Sequence, residues 1–342
     1  MFSTSPYVLQ EASVTRVMRQ VLLALLPGIA AYVYWFGPLI LVQLAIATAT
    51  ALAAEAGMLA LRNKPVSLFL SDLSAVVTAW LLALTLTPLA PWWLTVVAVL
   101  FAIVVAKHLY GGLGQNPFNP AMIGFAVAIV SYPALLGQWP VAGGDFGQQL
   151  QLVFGQLPRL DAITSATPLD ALKTGLKLAE GGDVTVASLF AAEQGKTFGL
   201  VAGHGWEWVT AGYLLGGVWL LQQGIIGWRV PVAFCAALLG ISTALWLWQP
   251  TAYASPAFHL FSGGALLGAF FIATDPVSGS TTPRGKLIFG ACAGLLAYLI
   301  RVFGGYPDGV AFAVLLMNIA APLIDVYTQP PIFGKKSTGK EG

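Results

Sequence analysis

The chain has 342 residues, of which 57% are hydrophobic and only 9% charged, with a net charge of +2 and a mean hydropathy of +0.79. Ordinary soluble domains carry about 25% charged residues, and a soluble chain of this size could not hide so much apolar surface. The composition therefore excludes a soluble enzyme, a nucleic-acid-binding protein and a disordered scaffold. It predicts an all-α polytopic membrane protein.

Apolar runs between glycines, prolines and charged residues predict about ten transmembrane helices. They lie near residues 18–36, 38–61, 73–88, 91–107, 120–138, 207–227, 230–248, 258–274, 287–303 and 309–328. This pattern divides the chain into a first half with five helices (1–138), a middle segment (139–206), a second half with five helices (207–328) and a tail (329–342). The run 73–88 is short for a full crossing and ends at a proline, as broken helices do in transporters.

The distribution of Lys and Arg predicts the orientation in the membrane. With the N-terminus inside, eleven of the 16 basic residues fall on the cytoplasmic side, and short loops with this bias set the topology. The other five are Arg159, Lys173, Lys177, Lys196 and Arg301. Both termini are thus predicted to be cytoplasmic, and the middle segment is predicted to lie outside the cytoplasmic membrane.

The two halves also resemble each other. Ser74 and Pro88 enclose an apolar run with the same separation as Ser262 and Pro276. Each run is followed by a Gly-Gly pair and then by an asparagine near a proline. Five helices per half would force the second copy to be inverted relative to the first. Chance similarity between two helices rich in Ala and Leu is the alternative.

The residues that commonly bind metals form no motif. Cys235 and Cys292 lie in separate apolar runs, without a C-x-x-C pattern, and His108, His204 and His259 form no helical i, i+4 pair. The sequence therefore predicts no metal site in this chain.

The middle segment contains the start of a helix. Thr167, Pro168 and Asp170 have the form of an N-cap, a proline at the first helical position and a carboxylate in the first turn. The helix is predicted to run to about residue 179 and to stop at Gly181-Gly182. As a helix start, this motif needs no function.

The same stretch, Asp161-Ala-Ile-Thr164-Ser165-Ala166-Thr167-Pro168-Leu169, resembles the flavin attachment site of two related membrane proteins. These are the D subunit of Rnf complexes and the B subunit of the sodium-pumping NADH:quinone reductase. The resemblance implies that FMN is joined through its phosphate to Thr167, with Asp161, Thr164, Ser165 and Ala166 as recognition residues. Ala162 stands where the family often has Gly. Ser165 stands where the quinone-reductase branch has Gly, which favours the Rnf branch.

The resemblance extends over most of the chain, including residues 115–124, 273–278 and 317–322. It implies two inverted five-helix repeats similar to urea transporters, in the inner membrane of a bacterium. It further implies a translocase component, without a complete reaction of its own, that relays electrons between ferredoxin and NAD coupled to Na⁺ or H⁺ movement. The partners implied are the A, B, C, E and G subunits of the Rnf complex, with G as electron partner, together with membrane lipid and a flavin transferase.

Three further residues are candidates for a site inside the membrane. Asn116 and Asn119 flank prolines, and capping and turn formation account for them. The alternative, implied by the quinone-reductase branch, is a second, non-covalent flavin such as riboflavin. Glu55 lies inside a predicted span, where a charge is costly and commonly faces a cavity or a partner. Tryptophans near span ends, among them Trp206, are interpreted as interface anchors.

Two other functions stay open from the sequence. One is the B subunit of the sodium-translocating quinone reductase, which would bind riboflavin and a quinone. The other is a urea-like channel or transporter without a redox role, since inverted halves and broken helices would serve a small solute equally well. The middle segment distinguishes the channel from the redox proteins, because a channel has no use for a flavin acceptor there.

Overall fold

The structure is a computed structural model and describes residues 13–156, 164–178 and 184–329. In the first half, the helices are α1 (Val14–Phe36), α2 (Leu39–Leu61), α3 (Val66–Leu70), α4 (Ser74–Thr85), α5 (Trp92–Leu100), the π-helical segment π1 (Phe101–His108), α6 (Pro120–Ser131) and α7 (Pro133–Leu136). The middle segment contains β1 (Trp139–Pro140), α8 (Phe146–Val153), β2 (Thr164–Ser165), α9 (Pro168–Leu178) and α10 (Val186–Ala192). The second half contains α11 (Trp206–Gln222), α12 (Arg229–Trp248), α13 (Pro256–Phe261), α14 (Ala265–Leu267), π2 (Gly268–Ile272), α15 (Pro283–Phe303) and α16 (Val310–Thr328).

Five of these helices are long and apolar enough to cross a membrane, namely α1, α2, α12, α15 and α16. Three shorter apolar helical stretches accompany them: α4, α5 continued by π1, and α6. The chain is therefore an all-α, multi-pass membrane protein. Every apolar run picked out in the sequence coincides with one or more helices, but the number of ten crossings stays a prediction.

Two predicted helices are wrong as continuous elements: the run 120–138 is split at Tyr132 into α6 and α7, and the run 258–274 is split more sharply. The run 258–274 is interrupted, because α13 ends at Phe261 and Ser262 is extended before α14 begins. Gly263 has φ +62°, a conformation that costs glycine little. A similar break precedes α4, where Leu73 has φ +65° and the Asp72 carboxylate accepts a 2.7 Å hydrogen bond from the Ser74 N–H. Each half thus contains a short apolar helix that starts at a break.

Helix pairs pack closely through glycines. At Gly212 an added Cβ would lie 2.7 Å from the Gly28 backbone, and at Gly216 it would overlap the carbonyl oxygen of Ala24. These positions bring α11 against α1. Gly290 of α15 approaches the backbone of Val230 on α12 in the same way. Small residues let helix backbones approach closely, and the resulting van der Waals packing is one of the forces that drive helix association in lipid.

Two cations at the ends of predicted membrane helices are buried. Lys107, in the last turn of π1, donates hydrogen bonds of 2.7 Å to both carboxylate oxygens of Glu55 and of 2.8 Å to Ser74 Oγ. Arg301, in the last turn of α15, pairs with Asp308 at 3.1 Å. The prediction that Glu55 faces a cavity or a partner is confirmed: the nearest partner is Lys107, and His108 Nε2 lies 3.7 Å from the same carboxylate.

Candidate functional site

Thr167 caps the helix that follows it, as the sequence predicts. Its Oγ1 accepts a 3.2 Å hydrogen bond from the Asp170 N–H, and its carbonyl accepts one of 2.8 Å from the Ala171 N–H. Pro168 is the first residue of α9, which extends to Leu178. The predicted recognition residue Asp161 and the predicted stop at Gly181-Gly182 lie outside the described residues.

The residues before Thr167 are held by a short antiparallel ribbon. Thr164 and Ser165 form β2 and pair with β1 in the register Pro140 to Thr164 and Trp139 to Ser165. Ala166 is exposed between the ribbon and the helix. The structure thus brings three of the predicted recognition residues next to Thr167, and the ribbon adds Trp139, which no sequence pattern had singled out.

Two glycines from distant segments pack closely against the first turn of α9. An added Cβ at Gly203 would overlap the ring of Pro168, and one at Gly263 would lie 2.6 Å from Leu169 Cδ1. Leu169 is buried in a small apolar cluster, which also contains Leu172, Val186, Phe198, Ala202, Ala254 and Phe258. The helix that begins at Thr167 therefore rests directly on the break between α13 and α14.

Thr167 lines a largely apolar cavity of about 120 Å³ whose wall includes seven aromatic side chains. The aromatic residues of this wall, which we call the aromatic cavity, are Tyr32, Phe125, Trp139, Trp206, Tyr306 and Phe312, with Tyr213 beside Tyr32. Planar apolar walls of this kind suit a flat ring system. The Tyr32 hydroxyl is buried and has no hydrogen-bond partner among the described residues.

Trp206 belongs to this cavity and not simply to the membrane interface. Its ring lies 4.7 Å from Phe36, 5.1 Å from Trp139 and 5.5 Å from Tyr32. These rings come from three separate segments of the chain. No spacing in the sequence relates them, so sequence reasoning missed the place of Trp206 in this cavity.

The aromatic cavity has one charged wall. Asp308 lines it and accepts hydrogen bonds of 3.1 Å from Arg301 Nε and 2.6 Å from the Gly264 N–H. The Arg301 guanidinium also donates to the carbonyls of His259 (2.5 Å) and Ser262 (3.1 Å). The ion pair thus binds both ends of the break between α13 and α14, which keeps the backbone groups of this irregular segment hydrogen-bonded.

The first two turns of α9, outside the membrane-spanning helices, carry two ionisable side chains whose pKa values are shifted. Burial raises the pKa of the Asp170 carboxyl, and the charge of Lys173 partly offsets this effect. Burial lowers the pKa of the Lys173 ammonium, as does the nearby charge of Lys177, while Asp170 opposes both. The start of α9 is therefore partly shielded from water, although Ala166 remains accessible.

A second cavity, of about 310 Å³, contains both predicted asparagines in its lining. Asn119 caps α6 by accepting a 3.2 Å hydrogen bond from Met122 N–H, and it donates one of 3.3 Å to the Ile272 carbonyl. Its own N–H donates to Asn318 Oδ1 at 3.0 Å. Asn116 donates to the Phe118 carbonyl at 2.9 Å. The capping interpretation of Asn119 is confirmed, and its contacts join the two halves of the chain.

Asn318 also contributes to this contact between the two halves, a role that the sequence analysis did not predict. From α16 it accepts from Asn119 and donates a 3.0 Å hydrogen bond to the Ser278 carbonyl. A buried amide inside an apolar helix is a signal that sequence reasoning could have used. Lys107, Asp275 and Lys286 also line this second cavity. Among the described residues, no group of three or more His, Cys, Asp or Glu side chains could hold a metal ion.

Comparison with known proteins identifies the family. Residues 1–334 match the model of the NQR2, RnfD, RnfE family. The chain belongs to this family. A relative from Yersinia pseudotuberculosis, named as the D subunit of an ion-translocating oxidoreductase complex, is 48% identical over 99% of both chains. Relatives of the same name from Escherichia fergusonii and Erwinia tasmaniensis are 47% and 46% identical, over 98% of each chain.

The match to the NQR2, RnfD, RnfE family includes every part of the candidate site. It covers both halves, the middle segment with Thr167 and the linings of both cavities. The two cavities are therefore features of one continuous family domain, not of an added module.

Proposed function

We propose that this chain is the D subunit of an Rnf-type ion-translocating oxidoreductase, a translocase component that relays electrons and has no complete reaction of its own. The observation that carries this proposal is the position of Thr167, a helix cap that also lines an aromatic cavity. The relatives that share almost half of its residues over nearly the whole chain are named as this component. The A, B, C, E and G subunits of the Rnf complex are the proposed partners.

We further propose that FMN is attached to Thr167 through a phosphodiester. The residues present fit such a group. A phosphate on Thr167 would lie at the N-terminus of α9, where the helix dipole favours an anion. The aromatic cavity next to it offers apolar surfaces for a flat ring and the unpartnered Tyr32 hydroxyl as a hydrogen-bond donor. FMN, when bound, supplies the electron-transfer chemistry.

The chain's own residues bind, orient and shield the group. Pro168 and Leu169 fix the first turn of α9 on Gly203 and Gly263, so the attachment point is held on the break between α13 and α14. Trp139 and Trp206, which line the aromatic cavity, would shield a bound ring from water. The Asp308 and Arg301 pair keeps that wall neutral overall while it holds the backbone of the break in place.

The proposed orientation puts both termini in the cytoplasm and the middle segment on the outer side of the bacterial inner membrane. We propose that the halves are inverted repeats of five helices each. Support comes from the breaks at Leu73 and Gly263, which have nearly equal positive φ. In each half, a buried cation at the end of a helix reaches the break, Lys107 to Ser74 Oγ and Arg301 to the Ser262 carbonyl.

This arrangement explains why partners are needed. A flavin on Thr167 would lie at the outer side, and the hydrocarbon core is about 30 Å thick. Electrons from ferredoxin or NAD in the cytoplasm therefore need further carriers. In the proposed complex, the G subunit exchanges electrons with the flavin on Thr167, and the coupled ion is Na⁺ or H⁺. A flavin transferase loads the threonine.

We expect Thr167→Asn to abolish covalent flavin without unfolding the protein. Asparagine is as good an N-cap as threonine, but it offers no hydroxyl for a phosphodiester. The protein is co-expressed with a flavin transferase, denatured and resolved on a gel, and flavin fluorescence is recorded. The parent band should fluoresce and the Thr167→Asn band should be dark, with equal thermal stability of the two proteins.

Thr174→Ala is the matched control, because Thr174 is an exposed threonine on the same helix. This variant should fluoresce like the parent. A dark parent band, with transferase activity confirmed on another substrate, would refute covalent attachment and favour the channel. Fluorescence that persists in Thr167→Asn would place the flavin on another residue.

We propose a second, non-covalent flavin, riboflavin, in the cavity of about 310 Å³ near Asn116 and Asn119. Both amides border it, and amide groups match the mixed donors and acceptors of a flavin ring. Denaturing the purified parent should therefore release free flavin in addition to the flavin that stays on the chain.

Asn116→Leu should lower the released flavin and leave the covalent flavin unchanged. Gln249→Leu, which changes an exposed amide after α12, is the control and should release as much flavin as the parent. Chromatography of the acid supernatant measures the released flavin, and in-gel fluorescence measures the covalent flavin. Equal release from the parent and Asn116→Leu would remove Asn116 from the proposed site, and no release from the parent would remove the second flavin.

A further inference from the structure

Lys173 connects α9 to the end of α15. Its ammonium donates hydrogen bonds to three backbone carbonyls, of Arg301 (3.0 Å), Gly304 (2.6 Å) and Tyr306 (2.9 Å). The last carbonyls of a helix have no intrahelical partner, and a side chain that reaches them caps the helix. A lysine ammonium has three donors. All three donors are used here, so the contact fixes how far α9 lies from the end of α15 and how it is oriented relative to it.

Both sides of this contact border the aromatic cavity. Lys173 lies on the helix that starts next to Thr167, and the segment after α15 provides Tyr306 and Asp308 to the wall. Tyr306 in turn stacks on Phe312, with ring centroids 4.8 Å apart. The bonds of Lys173 therefore tie the helix that follows Thr167 directly to the opposite wall.

Through Arg301, the contact is also linked to the break between α13 and α14 in the second half of the chain. The carbonyl of Arg301 accepts from Lys173, while the guanidinium of the same residue holds the break between α13 and α14. Leu169, one residue after Pro168, packs on that break at Gly263. The helix α9 is thus held by the apolar contacts of Pro168, Leu169 and Leu172 in its first turns and by the polar contact of Lys173 in its second turn.

We propose that Lys173 is a positioning residue that holds α9 on the end of α15, so that a group carried by Thr167 is directed into the aromatic cavity. This inference rests on the proposed function for the identity of that group. Replacing Lys173 by methionine leaves three carbonyls without their donors and keeps the apolar contact of Leu169. The start of α9 then keeps its apolar contacts but loses its polar attachment to the end of α15, which increases its mobility relative to the opposite wall.

The first test uses the flavin itself. The full chain is co-expressed with the transferase, and flavin anisotropy in the native protein is compared with covalent flavin per chain after denaturation. Lys173→Met should lower the anisotropy while the loading stays at the parent value. Lys177→Met is the control, since Lys177 is exposed on the same helix, and it should change neither quantity. Unchanged anisotropy in Lys173→Met would overturn the proposal.

The second test does not need a flavin. Thr174, exposed on α9, is replaced by cysteine in a chain with Cys235→Ser and Cys292→Ser, and a nitroxide is attached. Adding Lys173→Met should convert an immobilised electron paramagnetic resonance spectrum into a mobile one, and adding Lys177→Met should not. If the parent carries no flavin but this change occurs, the proposed function fails and the role of Lys173 in holding α9 stands.

An immobilised spectrum in the Lys173→Met chain would overturn the inference whether or not flavin is bound. Where Lys173→Met fails to fold, Lys173→Gln takes its place in both measurements. Glutamine keeps N–H donors but is too short and has too few of them to satisfy three carbonyls. The expected results and the contradicting results are the same for this variant.

Discussion

Lys107→Met should unfold at a much lower temperature than the parent protein. Glu55 and Lys107 are both about 3% exposed, and the ammonium contacts both carboxylate oxygens at 2.7 Å. Removing one partner of a buried ion pair leaves an uncompensated charge, at a cost of about 3–5 kcal/mol. Thermal unfolding in detergent, followed by tryptophan fluorescence, measures the difference.

The double variant Glu55→Gln with Lys107→Met separates the pair from other causes. With both charges removed, no unpaired carboxylate remains, and the double variant should be more stable than Lys107→Met alone. Lys64→Met, which removes an exposed cation after α2, should unfold with the parent. A Lys107→Met protein as stable as the parent would show that this ion pair contributes nothing measurable to stability.

Gly216→Ala is expected to destabilise the protein through packing alone. Its Cβ would overlap the carbonyl oxygen of Ala24 on α1, and a backbone oxygen cannot rotate away as a side chain can. The two helices would have to separate along their whole contact, which includes Gly212 against Gly28. Overpacking typically costs about 1–3 kcal/mol, and more where the backbone must move. The yield of monodisperse protein and its unfolding temperature measure this effect.

Gly240→Ala is the matched control for this prediction. Gly240 lies on α12, and an added Cβ there meets nothing within 4 Å. Because alanine favours a helix over glycine by about 1 kcal/mol, this variant should be as stable as the parent or more so. If Gly216→Ala and Gly240→Ala behave alike, α1 and α11 are not in the close contact described above.

The positions of the helices followed from the sequence, because hydropathy is a local sum. The run 38–61 corresponds to α2 at Leu39–Leu61, and the run 309–328 corresponds to α16 at Val310–Thr328. The same holds for the cap at Thr167, whose hydrogen bond spans only three residues. The break at Ser262–Gly264 was missed, because an apolar segment with a local change of backbone direction still reads as one continuous apolar run.

The sequence by itself determined a helical membrane protein, the approximate helix positions and the residue that begins α9. Only the tertiary structure decided that Lys107 pairs with Glu55, 52 residues away, and that Lys173 reaches carbonyls about 130 residues away. It also decided that Trp139 and Trp206 form one wall next to Thr167. The physical reason is that hydropathy and capping act between neighbours in the chain, whereas buried charges and aromatic rings acquire their partners only when distant helices pack.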